Sequence, residues 1–556
     1  MHQTYTYKKF PYSAPPELGK ASVSRRPLIV IGCGPVGLAA AIDAHQHGIP
    51  VLLLDDDDTV SVGSRGLCYA KRTLEILDRL DCGDPVVGKG VGWDVGRTFF
   101  RNDEVFNFNL RPQPGFKRPG MVNLQQYYLE EYMVQRALDA GVELRWKNKV
   151  VSVAPQDDHV MLQVETPDGL YAIEADWLIV CDGARSPVRT MLGLDIDGKV
   201  FMDRFLIADV LMKADFPAER WFWFDPPFHP NQSVLLHREA DDVYRIDFQL
   251  GWDVDPEEEK KPEKVIPRIK AMLGDDRDFT LEWVSVYTFQ CRRMNEFRHG
   301  RCLFAGDAAH QVSPFGARGA NSGVQDADNL VWKLKLVMDG KAPLALLDTY
   351  SAERGFGADE NILNSTRSTD FITPKSAVSK TFRNAVLELS RDLPFARKLV
   401  NSGRLSVPCF LADSSLNTPD SEAFAGDMVP GAPMDDAPVD IDGQPSWLID
   451  QVGGRFQVLY FCDDPSTMPE AMQLQLQGLA QAAIPVEPLV IARRADKCAL
   501  KVLVDREGIA FPRYDATPGT LYLIRPDQHV AARWREAEVS RIVAAVARAT
   551  ANFAEA

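Results

Sequence analysis

From Leu28 onward, short apolar runs alternate with stretches in which apolar residues recur every three or four positions. That alternation predicts an α/β fold, with strands buried on both faces and helices packed over a largely parallel sheet. Leu28 to Ile31 reads as a strand, Pro35 to His47 as a helix closed by Gly48, and Val51 to Leu54 as a second strand, together one βαβ unit. Between about Phe201 and Phe289 the pattern changes to aromatic-rich runs such as Trp221-Phe222-Trp223-Phe224 and Tyr244-Arg245-Ile246-Asp247-Phe248-Gln249. These predict an inserted antiparallel sheet. A helical pattern resumes from Asn321 to about Leu405, and a stretch rich in Pro, Asp, Ala and Gly around Asp413 to Pro445 sets off a last segment. The expected division is an arm at 1–25, a discontinuous Rossmann-like domain at 26–200 and 290–365, and a sheet domain at 201–289. A helical connection at 366–410, a linker at 411–445 and a final α/β domain at 446–556 complete it.

A chain of 556 residues exceeds what one core usually supports, in keeping with this division. Its 62 basic and 78 acidic residues leave a net charge of -16, which argues against nucleic acid or an anionic membrane as partner. No apolar run approaches the roughly 20 residues that cross a bilayer. Lys8 and Lys9 precede no apolar stretch, so no signal peptide is expected. Nine scattered cysteines without paired spacing predict neither a disulfide framework nor a metal site, and fit a reducing cytoplasm.

Three constellations carry chemistry. The first, Gly32-Cys33-Gly34-Pro35-Val36-Gly37, stands between strand and helix. Its glycines permit a tight turn, close approach of a pyrophosphate and close helix packing, while the helix end favours the phosphates. Asp55, at the end of the next strand, is placed to accept from ribose hydroxyls. The second is Asp182-Gly183, after the strand Trp177 to Cys181. The third runs Gly306-Asp307-Ala308-Ala309-His310, then Ser313-Pro314-Phe315-Gly316-Ala317-Arg318-Gly319-Ala320-Asn321. Here Asp307 can accept from a polyol hydroxyl, and the following helix N-terminus favours negative charge on a ligand.

In this order and spacing the three motifs resemble the FAD-dependent aromatic hydroxylases of the para-hydroxybenzoate hydroxylase fold, over roughly Pro27 to Thr366. The resemblance implies that Gly32, Gly34, Gly37 and Asp55 hold the ADP half of FAD. It assigns Asp182 and Gly183 to both FAD and NAD(P)H, and Gly306, Asp307, Pro314, Gly319 and Asn321 to the flavin half. Arg65 resembles the family arginine near the pyrophosphate, and Gln126 a glutamine that contacts the cofactor. Asp55 stands where glutamate is usual, and Gly316-Ala317-Arg318-Gly319 where many members have Gly-Gly-Gln-Gly. Arg318 is read either as a stabiliser of an anionic flavin or phenolate or as a surface ion pair.

The likeness is strongest to the longer phenol, 3-hydroxyphenylpropionate and polyketide hydroxylases, whose last domain is thioredoxin-like. It implies hydroxylation of a small phenolic ring with O2 and NADH or NADPH, through a flavin C4a-hydroperoxide, and a homodimer as the family expectation. Cys462 lacks a second cysteine three residues on, so redox chemistry is not expected in the last domain. Trp223, His237 and Gln249 are the candidates for substrate contact, and His310 is read as structural. Two rival readings are a flavin-dependent halogenase, on the Trp221-Phe222-Trp223-Phe224-Asp225-Pro226 stretch, and a non-catalytic flavin-binding protein.

Overall fold

Among the described residues, two eight-stranded sheets, one seven-stranded sheet and a small three-stranded one organise the fold. The computed structural model describes residues 4–553 apart from 112, 275–276, 403–404 and 537. In the first sheet the strand Ser24–Ile31 lies parallel to Val51–Leu54 on one side and Gly169–Val180 on the other, and Glu143–Arg145 and Cys302–Phe304 extend it in parallel. Leu28, Ile29 and Val30 are fully buried because helices cover both faces. The helix Pro35–Gln46 starts with proline at its first turn and presses a run of alanines, Ala39 to Ala41, against the sheet. The predicted βαβ unit is therefore present, one residue shorter at its helix end.

The second sheet is the inserted one, and it is larger than 201–289. Its order runs His310–Gln311, Phe279–Arg293, Asp197–Met212, Val243–Leu250, Ser233–Arg238, Arg220–Phe224, Val95–Phe100 and Asp103–Asn109. The last two strands come from a segment assigned by sequence to the first domain. Val95–Phe100 pairs in parallel with Arg220–Phe224, so the edge of the sheet is completed by chain that precedes it by more than a hundred residues. One face carries Leu206, Ala208, Ile246 and Phe248 and is closed by Val265 and Ile269 of the helix Pro262–Leu273. The opposite, inner face looks toward the first domain. Trp283 there packs over Gly63, whose lack of a side chain is required, since a Cβ would sit 2.5 Å from the indole nitrogen.

The C-terminal sheet begins at Pro438–Ile441, inside the span expected to be linker, because a tight hairpin pairs it with Gln444–Trp447. Three parallel strands, Lys501–Asp505, Val486–Ala492 and Phe456–Cys462, continue into the antiparallel pair Leu521–Ile524 and Val530–Trp534. With the helices Glu470–Leu479 and Val539–Ala549 this is the expected thioredoxin-like α/β arrangement. None of the nine cysteines is in a disulfide. No described helix is long and apolar enough to cross a membrane.

This last domain docks through charge as well as apolar packing. Glu353 accepts from Arg525 at 2.7 and 2.9 Å and from Lys333 at 2.7 Å, and Arg525 also pairs with Asp527 at 2.6 Å. All four side chains are buried. Burial pushes the Glu353 carboxyl up, but Arg525 and Lys333 together hold it well below the usual carboxylate range. Such a network stands only because each charge has its partners.

Candidate active site

The three motifs meet at one place. Gly32 has φ +100°, and a Cβ there would fall 2.4 Å from the Cys181 carbonyl oxygen, so only glycine lets the turn lie against the Asp182 strand end. Val36 of the first helix fits between Gly306 and Gly323, with Cγ2 at 2.9 and 2.5 Å from the points their Cβ atoms would occupy. Arg189 donates to Ala308 O and Ala184 O, and Gln311 to Ala184 O and Asp307 O, which ties the Asp182-Gly183 loop to the Asp307 loop. Neither Arg189 nor Gln311 was singled out from sequence, since their role depends on contacts more than a hundred residues apart.

Both motif helices begin without a side-chain cap. Gly34 precedes Pro35–Gln46 and Arg318 precedes Gly319–Met338, and neither supplies a side-chain hydrogen bond to the first turn. The first-turn N–H groups are thereby left for an anionic ligand. At the second helix Asp307 Oδ1 lies 3.8 Å from the point a Cβ on Gly319 would occupy. Its side chain is exposed and accepts no hydrogen bond among the described residues. Protein packed around its base raises its pKa, against the pull of His310. A carboxylate held there without a partner is what a polyol chain would satisfy. Pro314 is exposed on the same loop.

Ala317 has φ +53°, in the region that favours glycine, at a position where the resembled family often has glycine. Arg318 is not on the surface: it is buried and donates to Asn361 Oδ1 at 2.6 Å and to Leu405 O. Asn321 is also turned inward. Its amide accepts from Ala70 N at 2.8 Å and donates to Cys68 O, so its side chain fastens the strand Cys68–Ala70 to the motif helix. His310 is buried with Nε2 2.6 Å from Asp326 Oδ2, and Asp326 also accepts from Gly306 N and Arg354 Nε. It is a structural histidine.

At the other end, Asp55 accepts from Cys33 N at 2.5 Å and from Asp57 N at 2.8 Å, which sets its carboxylate beside the glycine turn. Burial pushes it up to about 6. Arg65 is exposed and has no ion pair among the described residues. Gln126 accepts from Gly66 N at 2.7 Å and donates to Glu130 at 2.7 Å, holding the loop that carries Arg65. Asp182 accepts from Val188 N at 3.0 Å while its Oδ1 is buried with no partner, and Gly183 has φ +80°. Glycine turns that admit no side chain, two uncapped helices and two carboxylates with unused acceptors make an extended site that fits a dinucleotide such as FAD.

The substrate candidates fare unevenly. Trp223 is on the wrong face: residues two apart share a side, so Phe222 and the buried Arg220 and Phe224 point inward while Trp223 stacks on Phe99 at 5.2 Å beneath the covering helix. His237 is on the inner face, and burial together with Arg220 and Arg245 keeps it neutral. Gln249 is inner as well, but its Oε1 accepts from Ser233 N at 3.0 Å, and it lines a cavity of about 290 Å³ whose walls include none of the motif residues. The substrate candidates did not include the charged residues around them. Arg245 pairs with Asp209 at 2.8 Å and donates to Ser64 O, Tyr287 stands within the influence of both Asp307 and Asp247, and Asp247 and Arg220 share this face. Phe205 and Phe289 contact Phe315 of the flavin-motif loop at 4.9 and 5.2 Å.

Comparison with known proteins agrees with this geometry. The model of the FAD binding domain family matches residues 25–364, and that of the HcaD C-terminal domain matches 437–549. The 3-(3-hydroxy-phenyl)propionate/3-hydroxycinnamic acid hydroxylase of Mycolicibacterium smegmatis is 27% identical over 91% of this chain and 90% of its own. The 6-methylpretetramide 4-monooxygenase of Streptomyces rimosus is 29% identical over 93% and 92%. A crystal structure of the flavin-dependent monooxygenase PieE in complex with FAD and substrate superposes with a TM-score of 0.79 at 23% identity, covering 95% of this chain and 99% of that one. The chain belongs to the FAD binding domain family and is an enzyme of its flavin-dependent aromatic hydroxylase branch.

Proposed function

We propose that this enzyme hydroxylates a small phenolic compound, taking electrons from NADH or NADPH and oxygen from O2. The observation that carries the reading is that the inner face of the inserted sheet, with the buried Arg245–Asp209 pair on it, packs Phe205 and Phe289 against Phe315 of the flavin-motif loop. Bound FAD supplies the two-electron chemistry and the activation of oxygen. In this reading Gly32, Gly34, Gly37 and Asp55 hold the ADP half, with Arg65 and Gln126 beside the pyrophosphate. Asp182 and Gly183 flank the middle, and Gly306, Asp307, Pro314, Gly319 and Asn321 cradle the flavin, Asn321 through its backbone.

The chain's own work is to seat the ring, encourage ionisation of its hydroxyl and exclude water. Phe205, Phe289 and Phe315 pack together where the sheet meets the flavin-motif loop, and Tyr287 packs against them. The halogenase reading has no support here, since Trp221 and Trp223 lie on the covered outer face of a sheet strand. A screen of phenols for accelerated NADH or NADPH oxidation, with the product identified, tests the proposal. Acceleration with hydroxylated product is expected, and coenzyme oxidation indifferent to every phenol would overturn it.

A further inference from the structure

Asp55 and Arg65 stand on one stretch of chain, residues 55–67, that contains no helix or strand. Its shape is imposed from outside. Glu130 accepts from Ser61 N and Oγ at 2.6 and 2.8 Å, Gln126 accepts from Gly66 N, and Arg245 of the inserted sheet donates to Ser64 O. The rest of the hold comes from the arm at residues 4–10, which likewise has no helix or strand. Tyr5 and Phe10 of the arm are buried and Tyr7 is half-buried, whereas Thr6, Lys8 and Lys9 are exposed.

The arm is bonded to this loop at both ends. Phe10 N donates to Asp58 O at 2.7 Å, and Lys8 O accepts from Thr59 Oγ1 at 2.9 Å. Phe10 also stacks on Trp146 at 4.6 Å, next to Arg145, whose carbonyl accepts from Asp55 N at 3.0 Å. Further along, the Tyr7 hydroxyl accepts from Gly63 N at 2.9 Å. Tyr5 stacks on Tyr127 at 4.3 Å and donates to Glu131 at 2.9 Å, which seats the arm on the helix Gln126–Ala140. Thr4 donates through N and Oγ1 to Glu282 of the strand Phe279–Arg293, both at 2.6 Å. The arm thus joins the first domain to the inserted sheet.

Gly63 is where this hold bears on Arg65. It is buried with φ +79°, pinned between the Tyr7 hydroxyl on its N–H and the Trp283 indole on the side a Cβ would take. A buried N–H needs an acceptor, and here the arm supplies it. Glycine turns more freely than any other residue once released. Arg65, two residues on, is exposed and has no ion pair among the described residues to fix its direction.

Resting on the assignment of Asp55 and Arg65 to the ADP half of FAD, we infer that residues 4–10 are a strap on the cofactor site. Phe10 sets the Asp55 end of the loop and Tyr7 the Arg65 end, so the arm governs how fast FAD leaves. Tyr7 is a positioning residue that acts through Arg65.

The test follows release of FAD from the loaded protein, read as the rise in flavin fluorescence on dilution. Tyr7→Phe keeps the ring and removes the acceptor, and it is expected to speed release by about tenfold, the worth of one hydrogen bond. Its bound-flavin absorption spectrum should match the wild type, because the arm bears only on the ADP end. Tyr5→Phe, which removes a hydroxyl bonded to the helix instead of the loop, should leave release nearly unchanged. In an Arg65→Ala background the effect of Tyr7→Phe should all but vanish, since Tyr7 works through that side chain. Unchanged release in Tyr7→Phe, an altered flavin spectrum, equal acceleration by the two tyrosine variants, or an effect of Tyr7→Phe undiminished without Arg65 overturns the strap and leaves the FAD assignment standing. If Arg65→Ala alone releases FAD no faster than the wild type, the placing of Arg65 at the pyrophosphate fails and the strap fails with it.

Discussion

A Cβ built on Gly37 would stand 1.9 Å from the carbonyl oxygen of Gly32, whereas one built on Gly34 would meet nothing within 4 Å. The two glycines therefore serve different ends. Gly37 lets the first helix close onto its own turn, and Gly34 leaves room for something absent from the bare fold. Gly37→Ala is expected to lower the melting temperature of the apoprotein and abolish FAD uptake. Gly34→Ala should leave the melting temperature unchanged and weaken FAD alone. Thermal denaturation of both apoproteins, followed by flavin titration, separates the cases. An equal loss of stability in the two would contradict the assignment.

Asp307 has no hydrogen-bond donor of its own among the described residues, so its carboxylate contributes little to the apoprotein. Asp307→Ala should leave apoprotein stability unchanged or slightly higher. It should weaken FAD by about 10- to 100-fold, as expected for loss of hydrogen bonds to a charged acceptor. Isothermal titration of the apoprotein with FAD measures this directly.

The pH dependence of cofactor binding follows from Asp55. Its folded carboxyl titrates at about 6, above the ordinary aspartate value, so below that pH the site is protonated and accepts ribose hydroxyls poorly. For the apoprotein the sign is opposite to that of a paired carboxylate: stability from this group falls as pH rises through about 6, because the native state holds the extra proton. FAD affinity should rise between pH 5 and 7 in the wild type. It should stay flat over that range in Asp55→Asn, a contrast that fluorescence titration at several pH values can read.

The nucleotide half of this site was legible because its signals are local. A strand, a glycine turn and a helix lie within twenty residues, and the glycine spacing alone assigns each glycine its own task. The substrate half was less so. Alternation along Arg220–Phe224 tells which residues share a face but not which face is inner, and Trp223 was a candidate although the inward side belongs to Phe222 and the buried Arg220. The signal available was the charge in an otherwise apolar strand: Arg245 and Asp247 alternate with Tyr244, Ile246 and Phe248, which is costly unless the charges meet partners or a ligand. The edge strand Val95–Phe100 was missed because its partner is more than a hundred residues away. Asn321 was assigned to the flavin half, whereas its side chain serves the strand Cys68–Ala70.

Docking of the C-terminal domain should depend on acid. Glu353→Gln leaves Arg525, Lys333 and Asp527 buried with their charges unbalanced and is expected to destabilise by about 3–5 kcal/mol. Because the folded pKa of Glu353 lies below its unfolded value, the stabilisation is complete above about pH 4.3 and is lost as pH falls through the folded value. The stability gap between wild type and Glu353→Gln should therefore narrow in strongly acidic buffer, as denaturant titrations at a series of pH values would record.

The central claim, that FAD held between the Gly32 turn and the Asp307 loop serves oxygen insertion into a phenol, is tested most directly by mass spectrometry of the product formed under labelled dioxygen with chloride and bromide present. One labelled oxygen atom per product and no halogen is the predicted result. A halogenated product, or a phenol recovered unchanged while coenzyme is consumed, would contradict it.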